Sequence, residues 1–99
     1  LRIFDDQDGI MNLSFNDLPL ESLVVSQFTL HAKTKKGNRP SYIEAAKSTL
    51  ASDLYEFFIN QMNVKSQNKT KSGVFGANMQ VNLCNDGPVT IIIDTKNKK

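Results

Sequence analysis

The sequence predicts a mixed α/β domain, with helices laid against a largely antiparallel sheet. Three observations point there. Strand-type runs rich in β-branched and aromatic residues stand in both halves of the chain. One stretch between them repeats apolar residues at helical spacing. Polar turns bearing glycine or proline separate these runs.

Taken in order, "LRIF" reads as a short strand, "DDQDG" as a turn and "IMNLSF" as a second short strand. The acidic turn invites a calcium reading and fails it. An EF-hand loop with its glycine at Gly9 would need an acidic residue where Phe4 stands and a glutamate where Phe15 stands. A solvated hairpin turn fits better. After the loop "NDLPLES", Leu23 to Ala32 ("LVVSQFTLHA") gives the strongest strand signal of the first half. His31 falls at its end as a surface residue.

The loop "KTKKGNRP" follows, and Ser41 with Glu44 then has capping-box spacing. That predicts a short helix over "SYIEAAK". A clearer helix is predicted from about Leu50 to Met62, with Leu50, Leu54, Phe57, Phe58 and Met62 as its core stripe. "NVKSQNKTKSG" is a polar connection. Met79 to Cys84 alternates like a half-buried strand, and Val89 to about Asp94 reads as a buried one. Cys84 reads as a small strand residue and not as a nucleophile.

The turn between those last two runs, "NDGPVT", poses a question. Asp86-Gly87 suits a tight hairpin. Pro88 then removes a backbone donor where a ladder should begin.

With 99 residues the chain makes one domain at most. No apolar run approaches the roughly 20 residues of a membrane-spanning helix. A single cysteine excludes an internal disulfide and fits a reducing, cytoplasmic setting. Twelve Lys and Arg against ten Asp and Glu leave a net charge of +2, so distribution matters more than balance. Lys33, Lys35, Lys36 and Arg39 crowd into one loop, where they can meet phosphates or simply be solvated.

The catalytic inventory is thin. There is one histidine, no metal-ligand spacing and no phosphate-binding glycine fingerprint. No metal and no cofactor is expected. Ser26 and His31 lie five apart on one predicted strand and so point to opposite faces. Any chemistry would rest on backbone groups or on the substrate.

Four motifs carry a resemblance: "SQFTL" (Ser26 to Leu30), "KKGNRPS" (Lys35 to Ser41), "GVFGANM" (Gly73 to Met79) and "NDGPVT" (Asn85 to Thr90). In this order they resemble the D-aminoacyl-tRNA deacylases, the D-tyrosyl-tRNA deacylase family. The resemblance implies a largely antiparallel sheet in barrel-like layers with two to three helices. It also implies that residues 1–99 form the later two-thirds of that domain, without its opening strands and first helix.

In function, the resemblance implies hydrolysis of the ester of D-aminoacyl-tRNA, and of glycyl-tRNA, as chiral proofreading by a cytoplasmic homodimer with its active site at the subunit interface. The Gly87-Pro88 peptide would be cis and would reject L-amino acids sterically, assisted by Asn85. Gln27 and Phe28 would offer backbone N–H groups to an oxyanion, with Ser26 and Thr29 beside them. Thr90 is either a nucleophile, a positioning hydroxyl or an ordinary β-branched strand residue. Phe75 and Met79 would wall the adenosine pocket, or serve as plain core. Lys33, Lys35, Lys36 and Arg39 would meet tRNA phosphates. The alternative is a non-catalytic RNA-binding module on the same scaffold. A trans bond before Pro88 on an exposed turn would favour that alternative.

Overall fold

A computed structural model describes residues 1–99. The expected opening hairpin is present. Strand β1 (Arg2–Asp5) pairs antiparallel with β2 (Met11–Ser14), with register irregularities around Phe4. The turn is held by a side chain: Asp6 Oδ1 accepts from the N–H groups of Asp8 (2.9 Å) and Ile10 (3.0 Å). Gly9 has φ +72°, the left-handed region that glycine enters without a Cβ penalty. Asp6 thus serves the turn itself. A 3-10 turn at Phe15–Asp17 follows.

Strand β3 (Ser22–Val24) pairs in parallel with β4 (Thr70–Ser72), from Ser22 opposite Thr70 to Val24 opposite Ser72. Between them runs α1 (Ser48–Lys65), the chain's one α-helix. The helix extends a little beyond the expected Leu50 to Met62, and Lys65 in its last turn suits the negative end of the helix dipole. The architecture is therefore a small mixed α/β arrangement of two two-stranded sheets and one helix.

Several expectations are corrected. The sheet is not largely antiparallel: one pair is antiparallel and one parallel. The strand expected over Leu23 to Ala32 stops at Val24, because its partner β4 stops at Ser72. Beyond the ladder the chain winds into a 3-10 turn at Phe28–His31. The short helix over Ser41 to Lys47 does not form. The Ser41 N–H donates to the Lys33 carbonyl and the Glu44 carboxylate pairs with the Lys33 ammonium, so the glutamate half of the capping box is not made.

The strands expected at Met79 to Cys84 and Val89 to Asp94 are not in a ladder. No strand lies alongside, and Cys84 is exposed rather than packed.

The core differs from the expected stripe. Helix α1 buries Tyr55 and Ile59, while Leu50, Leu54, Phe57 and Phe58 are each more than half exposed. Tyr55 and Ile59 are one turn apart and face β3 and β4. Of the expected stripe only Met62 is half-buried, and with Phe58 it lines a shallow hollow beside Leu1 and Phe15. The radius of gyration is 16.2 Å, against about 13 Å for a compact chain of this length. Only Tyr55 and Ile59 are buried, and the residues after Ala77 are almost all exposed. No helix is long and apolar enough to cross a membrane.

Candidate functional site

The parallel pair brings two of the four motifs together. Its ladder closes with the Gly73 N–H donating to the Val24 carbonyl at 2.8 Å. From that point one chain leads through Val25 to Ser26, Gln27, Phe28 and Thr29. The other leads to Phe75 and Met79. Met79 crosses back over Gly73, with its sulfur 2.8 Å from where a Cβ at Gly73 would stand and Val25 Cγ1 at 3.7 Å from the same point. A side chain at position 73 would therefore have to push the flexible Met79 aside, so what glycine offers here is space and not backbone freedom. Phe75 and Met79 are half-buried, and the Phe75 ring lies 5.7 Å from that of Tyr55.

Gln27 sits at the head of the Phe28–His31 turn in extended conformation, with no side-chain cap. The first N–H groups of such a turn have no partner within it. The N–H groups of Gln27 and Phe28 are thus without a hydrogen-bond partner beside the ladder's end. The Gln27 amide donates to the Thr29 hydroxyl, which fixes the Gln27 side chain back along its own turn. Phe28 packs edge-on to Tyr42, with ring centroids 5.0 Å apart. That contact ties the turn to the far side of the basic loop, a link not legible in the motif spacing.

The basic loop has a closed neck. Lys33 and Ser41 exchange backbone hydrogen bonds of 2.8 and 2.9 Å. The Lys33 ammonium meets the Glu44 carboxylate at 2.5 Å. Glu44 is consequently held below the ordinary 4.5, chiefly by its hydrogen bond to Lys33, with weaker attraction from His31 and Lys96. Lys35, Lys36 and Arg39 stand exposed beyond the neck. Of the four residues expected at phosphates, Lys33 is thus engaged by a carboxylate and the other three are open.

Asn85, Gly87, Pro88 and Thr90 are all exposed, and no hydrogen bond joins them to the Gln27 turn. The structure contains no cis peptide, so the bond between Gly87 and Pro88 is trans, contrary to expectation. Gly87 takes φ +119°, and a Cβ there would meet only Val89 N at 3.6 Å. Nothing in the chain packs against this turn to enforce the less stable isomer, which is the condition under which a cis bond persists.

Sequence reasoning passed over two residues that organise this region. Tyr55 was hidden inside a helical pattern whose more obvious apolar members are exposed. Asn68 donates from Nδ2 to the carbonyls of Phe15 (2.9 Å) and Leu18 (2.8 Å). It pins the segment before β3 to the segment before β4. The signal available was its place between a helix end and a strand, where amides commonly satisfy loop carbonyls.

Comparison with known proteins adds a family. The model of the family described as D-Tyr-tRNA(Tyr) deacylase matches residues 1–94. A D-aminoacyl-tRNA deacylase of Porphyromonas gingivalis is 60% identical over the whole chain, which covers 66% of that protein's own length. Proteins of the same name from Cytophaga hutchinsonii, at 60%, and Flavobacterium psychrophilum, at 58%, match over the same 99 residues and the same 66%. The chain thus spans just under two thirds of the curated relatives it matches. With a family match over 94 of its residues, the chain belongs to the D-Tyr-tRNA(Tyr) deacylase family.

Proposed function

We propose that the protein hydrolyses the ester joining a D-amino acid to the terminal ribose of tRNA, as its relatives' names describe for them. The observation that carries this reading is the 60% identity to a D-aminoacyl-tRNA deacylase across every residue of the chain. The geometry beside the ladder suits the reaction. Water adds to the ester carbonyl, and the carbonyl oxygen gains negative charge. The N–H pair of Gln27 and Phe28 can face that oxygen. The bond to the ribose oxygen then breaks, releasing the free amino acid and tRNA. The ribose 2′-hydroxyl beside the ester assists the proton transfer. Thr90, exposed and without a hydrogen bond, has no base to activate it as a nucleophile.

Phe75 and Met79 wall the terminal adenosine, since bases stack on aromatic faces. Ser26 and Thr29 complete the polar side of this pocket. Lys35, Lys36 and Arg39 meet acceptor-stem phosphates, which position the RNA without reading its sequence. Discrimination is steric. The backbone of the exposed Asn85-to-Thr90 turn reaches the site of a second copy and fills the direction of an L side chain. Glycine has nothing in that direction, so glycyl-tRNA is a substrate too. The homodimer and the cytoplasmic setting belong to this same reading.

A second reading is favoured by one specific observation. The Gly87-to-Pro88 bond is trans and lies on an exposed turn, as a non-catalytic RNA-binding module would have it. One experiment separates the two. The natural full-length protein is mixed with matched D- and L-aminoacyl-tRNAs and release of the amino acid is followed. Rapid loss of the D ester alone supports the deacylase. Survival of both esters in a folded protein that retains tRNA supports the binding module. Pro88→Ala then tests the steric account. Discrimination against the L ester should weaken, and a folded variant that still rejects it would remove Pro88 from the account.

A further inference from the structure

The hydroxyl of Tyr55 lies 2.6 Å from the Gly73 carbonyl oxygen and 3.0 Å from that of Val24. It donates its one proton between two acceptors that belong to two different strands. Tyr55 is nine-tenths buried and comes from the helix beneath, so it does not reach the solvent side where substrate would lie. Both carbonyls stand at the point where the ladder ends. Two residues beyond Val24 is Ser26, and two beyond Gly73 is Phe75. The Gly73 segment is gripped from both sides, by the Tyr55 hydroxyl and by the Met79 sulfur that occupies the space a Cβ would take. Past this clamp the two strands have no ladder bonds to keep them in register.

We propose that Tyr55 is a positioning residue. Its hydroxyl sets the spacing between the Gln27 and Phe28 N–H pair and the Phe75 and Met79 wall. The proposal rests on the deacylase reading above. The oxyanion donors act only when charge develops, so a shift in their position lowers kcat. A misplacement of about 1 Å can cost on the order of a hundredfold, and loss of one clamp bond loosens the pair by less. Binding of the tRNA depends largely on the basic loop, whose neck does not involve Tyr55.

The test uses the full-length protein with D-aminoacyl-tRNA, assayed well below each variant's Tm. Tyr55→Phe keeps the ring and removes the hydroxyl. Its kcat should fall about tenfold, with KM within twofold of wild type. Ile59→Val trims the other buried residue of α1, touches neither carbonyl, and serves as the control for lost stability. It should keep the wild-type kcat. A wild-type kcat in Tyr55→Phe overturns the proposal. So does an equal kcat loss in the two variants, which would mark Tyr55 as ordinary packing.

Should Tyr55→Phe fail to fold, Tyr55→His removes the same hydroxyl and keeps a polar ring. A folded Tyr55→His protein with full kcat overturns the proposal, and a kcat loss with KM kept supports it. Absence of hydrolysis by the wild-type protein itself would overturn the deacylase reading and this inference with it. That outcome is read before any variant is made.

Discussion

Asn68 offers the sharpest test of how the segments are held together. Its Nδ2 donates two hydrogen bonds, of 2.9 and 2.8 Å, to the carbonyls of Phe15 and Leu18 in a half-buried position. Each such bond contributes about 0.5–1.5 kcal/mol net. Asn68→Ala loses both and should destabilise by about 1–3 kcal/mol. Asn68→Asp is nearly isosteric but replaces two donors with a carboxylate facing two carbonyl oxygens. It should therefore cost more than the alanine variant, although it fills the same space.

The assay is urea denaturation of the full-length protein. The midpoint should fall in the order wild type, Asn68→Ala, Asn68→Asp, with the slope m unchanged. Chain flexibility alone would make alanine the worse substitution, and an aspartate variant at least as stable as the alanine variant would refute the reasoning. Asn16 makes a longer bond of 3.3 Å to the Lys65 carbonyl from an exposed position. Asn16→Ala should stay within about 0.5 kcal/mol of wild type.

Lys35→Ala with Lys36→Ala should weaken tRNA binding and lower the slope of log affinity against log salt by about 2, two phosphates' worth. An unchanged slope would take the loop off the RNA surface. Thr90→Ala should retain most deacylation, and a complete loss in a folded protein would make Thr90 the nucleophile. Asp17 is held below its ordinary 3.8, first by the backbone N–H of Ser14 and then by its hydroxyl. A lowered folded-state value means the contribution is complete above 3.8 and is lost as pH falls through the lowered value. Asp17→Asn should flatten the acid side of the stability curve in that window, and a curve of unchanged steepness would show that other carboxylates set it.

The opening hairpin and helix α1 were legible because their signals are local. An acidic turn with a glycine, and apolar residues at helical spacing, need no distant partner. Leu23 to Ala32 misled because β-branched content reports suitability for a strand, while strand length is set by the partner. Here β4 ends at Ser72, and the chain past Val24 coils. Ser41 and Glu44 misled in the opposite way. Their capping-box spacing is real, but Lys33 takes up the Ser41 N–H and the Glu44 carboxylate, the two groups that would have bonded to each other. The candidate site was legible as motifs and not as geometry. Gly73 was quoted in a motif, yet its reason, the Met79 sulfur above it, depends on a contact six residues away that no spacing rule predicts. Tyr55 was unreadable because a helical pattern cannot say which of several apolar neighbours faces inward.

The open arm carries its own safeguard. Val89 to Ile93 is five residues of high strand propensity without a charge, all of them exposed in this chain. Such a window seeds association by edge-to-edge pairing when it is uncovered. Its borders are unsuited to that. Pro88 denies a donor on one side, and Asp94, Lys96, Lys98 and Lys99 crowd the other. Stacking copies in register would place like charges on top of one another at every step. Neutralising Lys96, Lys98 and Lys99 should lower the concentration at which the protein precipitates.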